Sequence, residues 1–170
     1  MSDSIFSSPR IVNDLVYKTL IESTHAIPWS IDRGTKKFSY IGTQLEKVLG
    51  WKQDSWRTVE DWAMRMHEKD RAWVVDFCVA QSISGVDHEA DYRALTINGE
   101  YIWIRDVVHV VRKPNGEVDS LVGFMFDISE RKKQEQELEI LKKQLEEYSY
   151  QDGLTEIAIR RFFEDSFQRD

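Results

Sequence analysis

Four histidines, one cysteine and thirty Asp and Glu residues are the groups in this chain with reactive chemistry to offer. Their spacing decides which chemistry. His25, His67, His88 and His109 are scattered, and none stands at a metal-ligand spacing from another or from Cys78, so a zinc site is not expected. A haem iron would need an axial His or Cys. His109, within a strand pattern, is the candidate for such an inward ligand and is otherwise a sheet-surface residue. His67 reads as a loop and helix-start residue. No nucleophile elbow and no activated-cysteine context accompanies the Ser, His and Asp residues, and no two carboxylates are singled out as an acid–base pair. The chain is instead rich in aromatics. Trp29, Phe38, Tyr40, Phe77, Tyr92, Trp103 and Phe124, with Val107 and Met125, are the pool for a pocket lining; the same residues could equally be ordinary core.

Whatever they line must be positioned by one domain and its appendages, given 170 residues. The formal net charge is −7, with no dense Lys/Arg patch, so no nucleic-acid partner is expected. The single cysteine excludes an intrachain disulfide. Met1-Ser2-Asp3-Ser4 does not open a signal peptide, and no window approaches a membrane span. A cytoplasmic protein without a membrane partner is expected.

Ser8-Pro9 can cap a leading helix whose apolar face takes Ile11, Val12, Leu15, Val16, Thr19 and Leu20, ending near Ser23. Residues 27–32 and 37–41 read as a hairpin. Short helices follow from Gln44 to about His67, the first ended by Gly50. Glu68 to about Ser82 forms a longer helix whose apolar face is predicted to hold Ala72, Val75, Phe77, Val79 and Ile83. Three antiparallel strands follow, joined at Asn98-Gly99 and Asn115-Gly116. The middle one alternates: Tyr101, Trp103, Arg105, Val107, His109 and Val111 on one face; Ile102, Ile104, Asp106, Val108 and Val110 on the other. The last strand is apolar on both faces, which predicts cover on both sides, by the leading helix or a partner subunit. The fold class is therefore α+β: a five-stranded antiparallel sheet, short helices on one face, flanking helices at both ends, and room for a pocket between.

The last strand runs into Asp127-Ile128-Ser129-Glu130-Arg131-Lys132, and a charged amphipathic helix follows. Leu138, Leu141, Leu145 and Tyr148 form a narrow apolar seam among Glu and Lys, the pattern of a coiled coil and so of a parallel homodimer. A helix lying on its own domain is the alternative.

Across residues 26–132 these motifs resemble the PAS domain, of the PAC-containing or fold-3 type. The resemblance rests on Trp29-Ser30, Tyr40 with Glu46 and Leu49-Gly50-Trp51, and His67-Glu68-Lys69-Asp70-Arg71, where Glu68 replaces a usual proline. It rests also on Tyr92-Arg93, on the hairpin from Asn98 to Asp106, and on Asn115-Gly116, Gly123 and the exit from Asp127 to Lys132. The tail from Asp152 resembles the opening of a GGDEF domain, the diguanylate cyclase output module. Asp152, Leu154, Thr155, Arg160 and Arg161 match; Glu156, Ile157 and Ile159 depart.

These resemblances imply a leading helix over 1–25, a PAS sensor over 26–130, a coiled-coil linker over 131–151 and the start of a GGDEF-like domain over 152–170. In the family the pocket holds haem, flavin, a metabolite or nothing. The context of Cys78, between Phe77 and Val79, is not that of a photoreactive flavin site, so neither flavin nor haem is expected, and the ligand stays open. Asp127, Ser129 and Arg131 are implied in signal transmission, with Arg131 or Arg105 as a partner for Asp127. The function implied is non-catalytic: a sensory and dimerisation module controlling a downstream GGDEF domain of the same chain. The alternative is a ligand-free scaffold for homodimerisation or protein docking.

Overall fold

The computed structural model of the protein describes residues 16–17 and 19–167. The predicted start of the leading helix at Ser8-Pro9 lies outside the described residues; 16–17 and 19–23 are helical and largely exposed. A hairpin of β1 (Ile27–Asp32) and β2 (Lys37–Ile41) leads through α1 (Gln44–Val48) and a 3-10 turn at Gln53–Ser55 into α2 (Val59–Met64) and α3 (Glu68–Ser84). Then come β3 (His88–Leu95), β4 (Tyr101–Arg112), β5 (Val118–Asp127) and α4 (Ser129–Phe167). The strand order is β2-β1-β5-β4-β3, antiparallel throughout. The last strand thus sits at the centre, paired on one side with the first.

Alternation along the strands decides what faces the helices. Ile27 and Trp29 on β1, Ala90, Tyr92 and Ala94 on β3, Ile104, Asp106 and Val108 on β4, and Met125 on β5 are buried. They meet Leu45, Leu49, Trp56, Trp62, Met66, Val74 and Cys78 from the helical side. The short helices have local causes. Thr58 and Asp61 form a capping box at the start of α2. The His67 imidazole accepts from the Lys69 N–H at the start of α3, and Gly85, at φ 68°, closes α3 in the left-handed region. The segment before α3 also covers the β3 edge: Leu95 N–H donates to Arg65 O at 2.7 Å and His67 N–H to Arg93 O at 2.9 Å.

Two expectations change here. α3 does not bury Ala72, Phe77, Val79 and Ile83, which are exposed, Val79 and Ile83 at the wall of a cavity; it buries Asp70, Val74 and Cys78, one residue per turn, with Val75 half-buried. The cause is electrostatic. Asp70 receives the Arg93 guanidinium in two bonds of 2.6 and 2.8 Å and the Arg93 backbone N–H at 3.0 Å, which locks the rotation of α3 against β3. The outer face of β5 is not fully covered: Val122 and Phe124 are half-buried, and Phe126 is exposed.

The chain divides after Ser129 into two compact units. The second is α4, a single helix of 39 residues with no break at the expected boundary between 151 and 152. Leu138, Leu141, Leu145 and Tyr148 all lie exposed along it. No helix among the described residues is long and apolar enough to cross a membrane.

A cavity with a buried carboxyl, and the exit from the sheet

Between α2, α3 and the sheet lies a cavity of about 500 Å³. Trp29, Ile31, Phe38, Val59, Trp62, Val75, Val108, Leu121 and Met125 give it a mainly apolar wall. Arg33, Lys36, Asp32 and Glu60 stand exposed at its rim. The exception inside is Asp106, 3% exposed. It is brought inward because it shares the buried face of β4 with Ile104 and Val108.

Asp106 is held by a chain of aromatic donors. Trp29 Nε1–H donates to Oδ1 at 2.8 Å, the Tyr92 hydroxyl donates to Oδ2 at 3.4 Å, and Trp62 Nε1–H donates to the Tyr92 oxygen at 2.8 Å. Burial raises the Asp106 carboxyl to about 7, against the opposing effect of the Trp29 and Tyr92 bonds. Burial, with the Asp106 charge second, pushes the Cys78 thiol on the same wall up to about 12, which makes it a weak nucleophile. The Tyr92 hydroxyl is raised for the same two reasons. On β3, His88 Nδ1 lies 2.9 Å from Val86 O, and its Nε2 is buried without a hydrogen-bond partner among the described residues.

Of the aromatic pool, the structure brings Trp29 and Phe38 to this cavity, in edge-to-face contact at 6.1 Å, and Met125 with them. Tyr92 sits behind it, in the Asp106 network. Five residues belong elsewhere. Tyr40 is exposed on β2, and Phe77 is exposed on α3, its ring perpendicular to that of His88 at 5.8 Å. Trp103 and Phe124 lie on the outer sheet face, as does Val107, because each is one residue out of phase with buried Ile104, Met125 and Val108. His109 does not point inward; its ring meets Asp87 at 3.0 Å in the open. No cluster of three metal-ligating side chains occurs among the described residues. The polar residue that matters most, Asp106, was visible in the sequence as a lone acid in an apolar alternating row, but only its cavity gives that position meaning.

The exit from the sheet is tied to β4. Ile128 N–H donates to Trp103 O at 2.9 Å, and Trp103 N–H donates to Ser129 Oγ at 3.0 Å. Asp127 Oδ1 accepts the Ser129 N–H at 2.9 Å. Asp127 is not paired with the arginines expected for it: Arg105 forks onto Asp91 at 2.7 and 3.0 Å, and Arg131 reaches Glu135 at 2.8 Å. A cross-strand acid on β3 and an acid one helical turn ahead lie in better register than Asp127.

Residues 38–125 match the family described as the PAS fold. The N-terminal domain of a diguanylate cyclase with PAS/PAC sensor from Marinobacter aquaeolei is 65% identical, with a TM-score of 0.61, over 62% of this chain and 97% of that one. A sensory box histidine kinase/response regulator from Burkholderia thailandensis E264 has the same fold at 22% identity and a TM-score of 0.61, over 76% of this chain and 96% of that one. An RNA-binding light-oxygen-voltage receptor shares it at 16% identity and a TM-score of 0.68, over 84% of this chain and 40% of its own. No curated protein sequence matches the chain. The five-stranded sheet in the order β2-β1-β5-β4-β3, the helices on one face and the matched segment together place this chain in the PAS family.

Proposed function

We propose that this PAS domain is the sensory, non-catalytic module of a cytoplasmic signalling protein, and that it controls a diguanylate cyclase-type output through α4. The observation that carries the reading is the double bond of the exit to Trp103. Strand β4 presents Asp106 to the cavity and, three residues earlier, uses both backbone groups of Trp103 to hold Ile128 and Ser129. A change at the cavity that shifts β4 therefore acts on the first turn of α4 through the backbone. The 65% identity to a diguanylate cyclase sensor domain supports the kind of output, and the likeness of residues 152–161 to a GGDEF opening points the same way.

Ser129→Ala removes the acceptor for the Trp103 N–H while keeping the helix. It is expected to speed amide exchange over Ile128 to Gln134 about fivefold, corresponding to roughly 1 kcal/mol for one lost hydrogen bond, with β1 and β3 unchanged. Unaltered exchange in that segment would remove the joint from the signal path.

The second element is self-association along α4. Leu138, Leu141, Leu145 and Tyr148 are between 61% and 72% exposed, and the same register passes the polar Asp152 and Thr155 before it reaches Ile159 and Phe162. A row of this kind on a long helix supports a parallel homodimer. Leu141→Glu would put a charge into that seam, and is expected to weaken the dimer at least about tenfold in sedimentation equilibrium. A wild-type protein that sediments as a monomer at 100 times working concentration would end this part of the reading.

A further inference from the structure

Two carboxyls are buried among the described residues, and they are held in opposite ways. Asp70 is closed by the Arg93 guanidinium. Asp106 receives neutral donors only: the Trp29 indole on Oδ1 at 2.8 Å and the Tyr92 hydroxyl near Oδ2 at 3.4 Å. Trp62 extends this chain to α2 through the Tyr92 oxygen. One carboxyl thus ties β1, β3 and α2 to β4. A neutral acid suits the set, with Oδ1 accepting from the indole and the hydroxyl of Oδ2 facing the Tyr92 oxygen. An ionised one has about four acceptor positions and no hydrogen to give. Two neutral donors leave it short, at a place where the residue is 3% exposed. The adjoining cavity of about 500 Å³ has room for water to make up the difference. Hydration requires the helical layer to yield, because Trp62 on α2 and Cys78 on α3 close the site from that side. The neutral form is therefore the dry, tight state, and the ionised form the wetter, looser one.

We propose that Asp106 is a proton receptor, and that uptake and release of one proton there switches the domain between these two states. This rests on the sensory reading above and names the signal as the proton itself. The step is a plain ionisation: the Oδ2–H bond breaks, the proton passes to water and the electron pair stays on the carboxylate. Burial raises the carboxyl to about 7, so it changes charge where an ordinary aspartate is fully ionised. Because the folded value is raised, the tight state holds at lower pH and is lost as pH rises through about 7. The change has a path outward. Asp106 lies directly across from Met125 on β5 and Ala90 on β3, and three residues before it both backbone groups of Trp103 hold Ile128 and Ser129. The other titratable groups facing the site do not share the task. The Cys78 thiol on α3 is pushed up to about 12, and the Tyr92 hydroxyl on β3 is raised well above its usual range. His88 on β3 is engaged at Nδ1 with the Val86 carbonyl. From α2, β1 and β5 the site is faced by Trp62, Trp29 and Met125, none of which titrates. Asp32, Arg33, Lys36 and Glu60 stand exposed at the cavity rim.

Carbon-13 labelling of the aspartate carboxyls gives the readout, with the Asp106 resonance identified by its absence from Asp106→Asn. In the wild-type protein this resonance is expected to titrate with a midpoint within about one unit of pH 7. Amide exchange over Ile128 to Gln134, corrected for its intrinsic pH dependence, should be about threefold faster at pH 8 than at pH 6. Asp106→Asn should hold that exchange at one level across the range. Trp29→Phe removes the short donor to the carboxylate and should raise the midpoint by about one unit, whereas a group that only packs would leave it in place. The wild-type titration needs no variant. An Asp106 resonance that does not change between pH 5 and pH 9, a pH response at Ile128 to Gln134 that persists in Asp106→Asn, or a midpoint unmoved in Trp29→Phe would each overturn the inference. Titration of Asp106 with no change over Ile128 to Gln134 would sink the transmission route through Trp103 and leave the proton receptor standing.

Discussion

Asp106→Asn is expected to make the domain more stable, by about 4 kcal/mol at pH 8 and by almost nothing at pH 4. A carboxyl at about 7 in the folded protein, against an ordinary 3.8, is shifted by about three units, each equivalent to 1.36 kcal/mol. Because the folded value is raised, the folded chain holds more protons than the unfolded chain between these two pH values. Stability therefore falls as pH rises from about 4 to about 7 and is level above that. Asparagine removes the charge and keeps the contacts: its Oδ1 still accepts from Trp29, and its Nδ2–H can donate to the Tyr92 oxygen. Asp70 runs the other way. The Arg93 guanidinium holds it below the ordinary carboxylate range, so its contribution is present above pH 4 and is lost only at lower pH. Urea unfolding of both proteins at pH 4, 6 and 8 separates these groups. A wild type that gains stability from pH 4 to pH 7, or a variant difference that does not grow with pH, would show that Asp106 is not an uncompensated buried acid.

Gly123→Ala is expected to cost about 3 kcal/mol, a large loss for one methyl group. Gly123 lies in the middle of β5, opposite Trp29 on β1 and Val108 on β4. A Cβ there would run into the Val107 carbonyl oxygen and stand 2.6 Å from the Trp29 ring. The bare backbone is what lets the indole lie across the central strand and bring Nε1 to Asp106 at 2.8 Å. The substitution should therefore change tryptophan emission as well as stability. Part of its cost should vanish in a Trp29→Ala background, a coupling that a double-mutant cycle in urea would measure. A loss below 1 kcal/mol, or strict additivity with Trp29→Ala, would mean that the indole does not depend on Gly123.

These two positions show how unevenly the structure was legible in the sequence. The alternation of β4 was readable residue by residue, and so was the phase that turns Trp103 outward and Ile104 inward. Aromatic character alone points to Trp103 and Phe124 as pocket residues, and the phase of their strands overrules it. The same character points to Tyr40 and Phe77, both of which are exposed. On α3, apolar residues occur all round the helix, so periodicity alone does not separate Val74 and Cys78, which are buried, from Val75, Val79 and Ile83, which line the cavity. The Asp70–Arg93 fork, between residues 23 apart in the chain, chose Val74 and Cys78 instead. Arg105 and Arg131 were reasonable partners for Asp127 by charge, but each has an acid in better register.

By itself, the sequence determined the α+β class, the strand and turn positions, the family, the exit at Asp127 to Ser129 and the apolar row along α4. All of these rest on local signals: period-two and heptad spacing, Asn-Gly turns, and short motifs in order. The tertiary structure alone decided that the first and last strands pair at the centre of the sheet, that Trp29 crosses Gly123 to reach Asp106, and that Trp103 holds the start of α4. Those are relations between residues 26 to 98 positions apart. Their energies come from burial and from hydrogen bonds closed in three dimensions, and no periodicity along one strand encodes them.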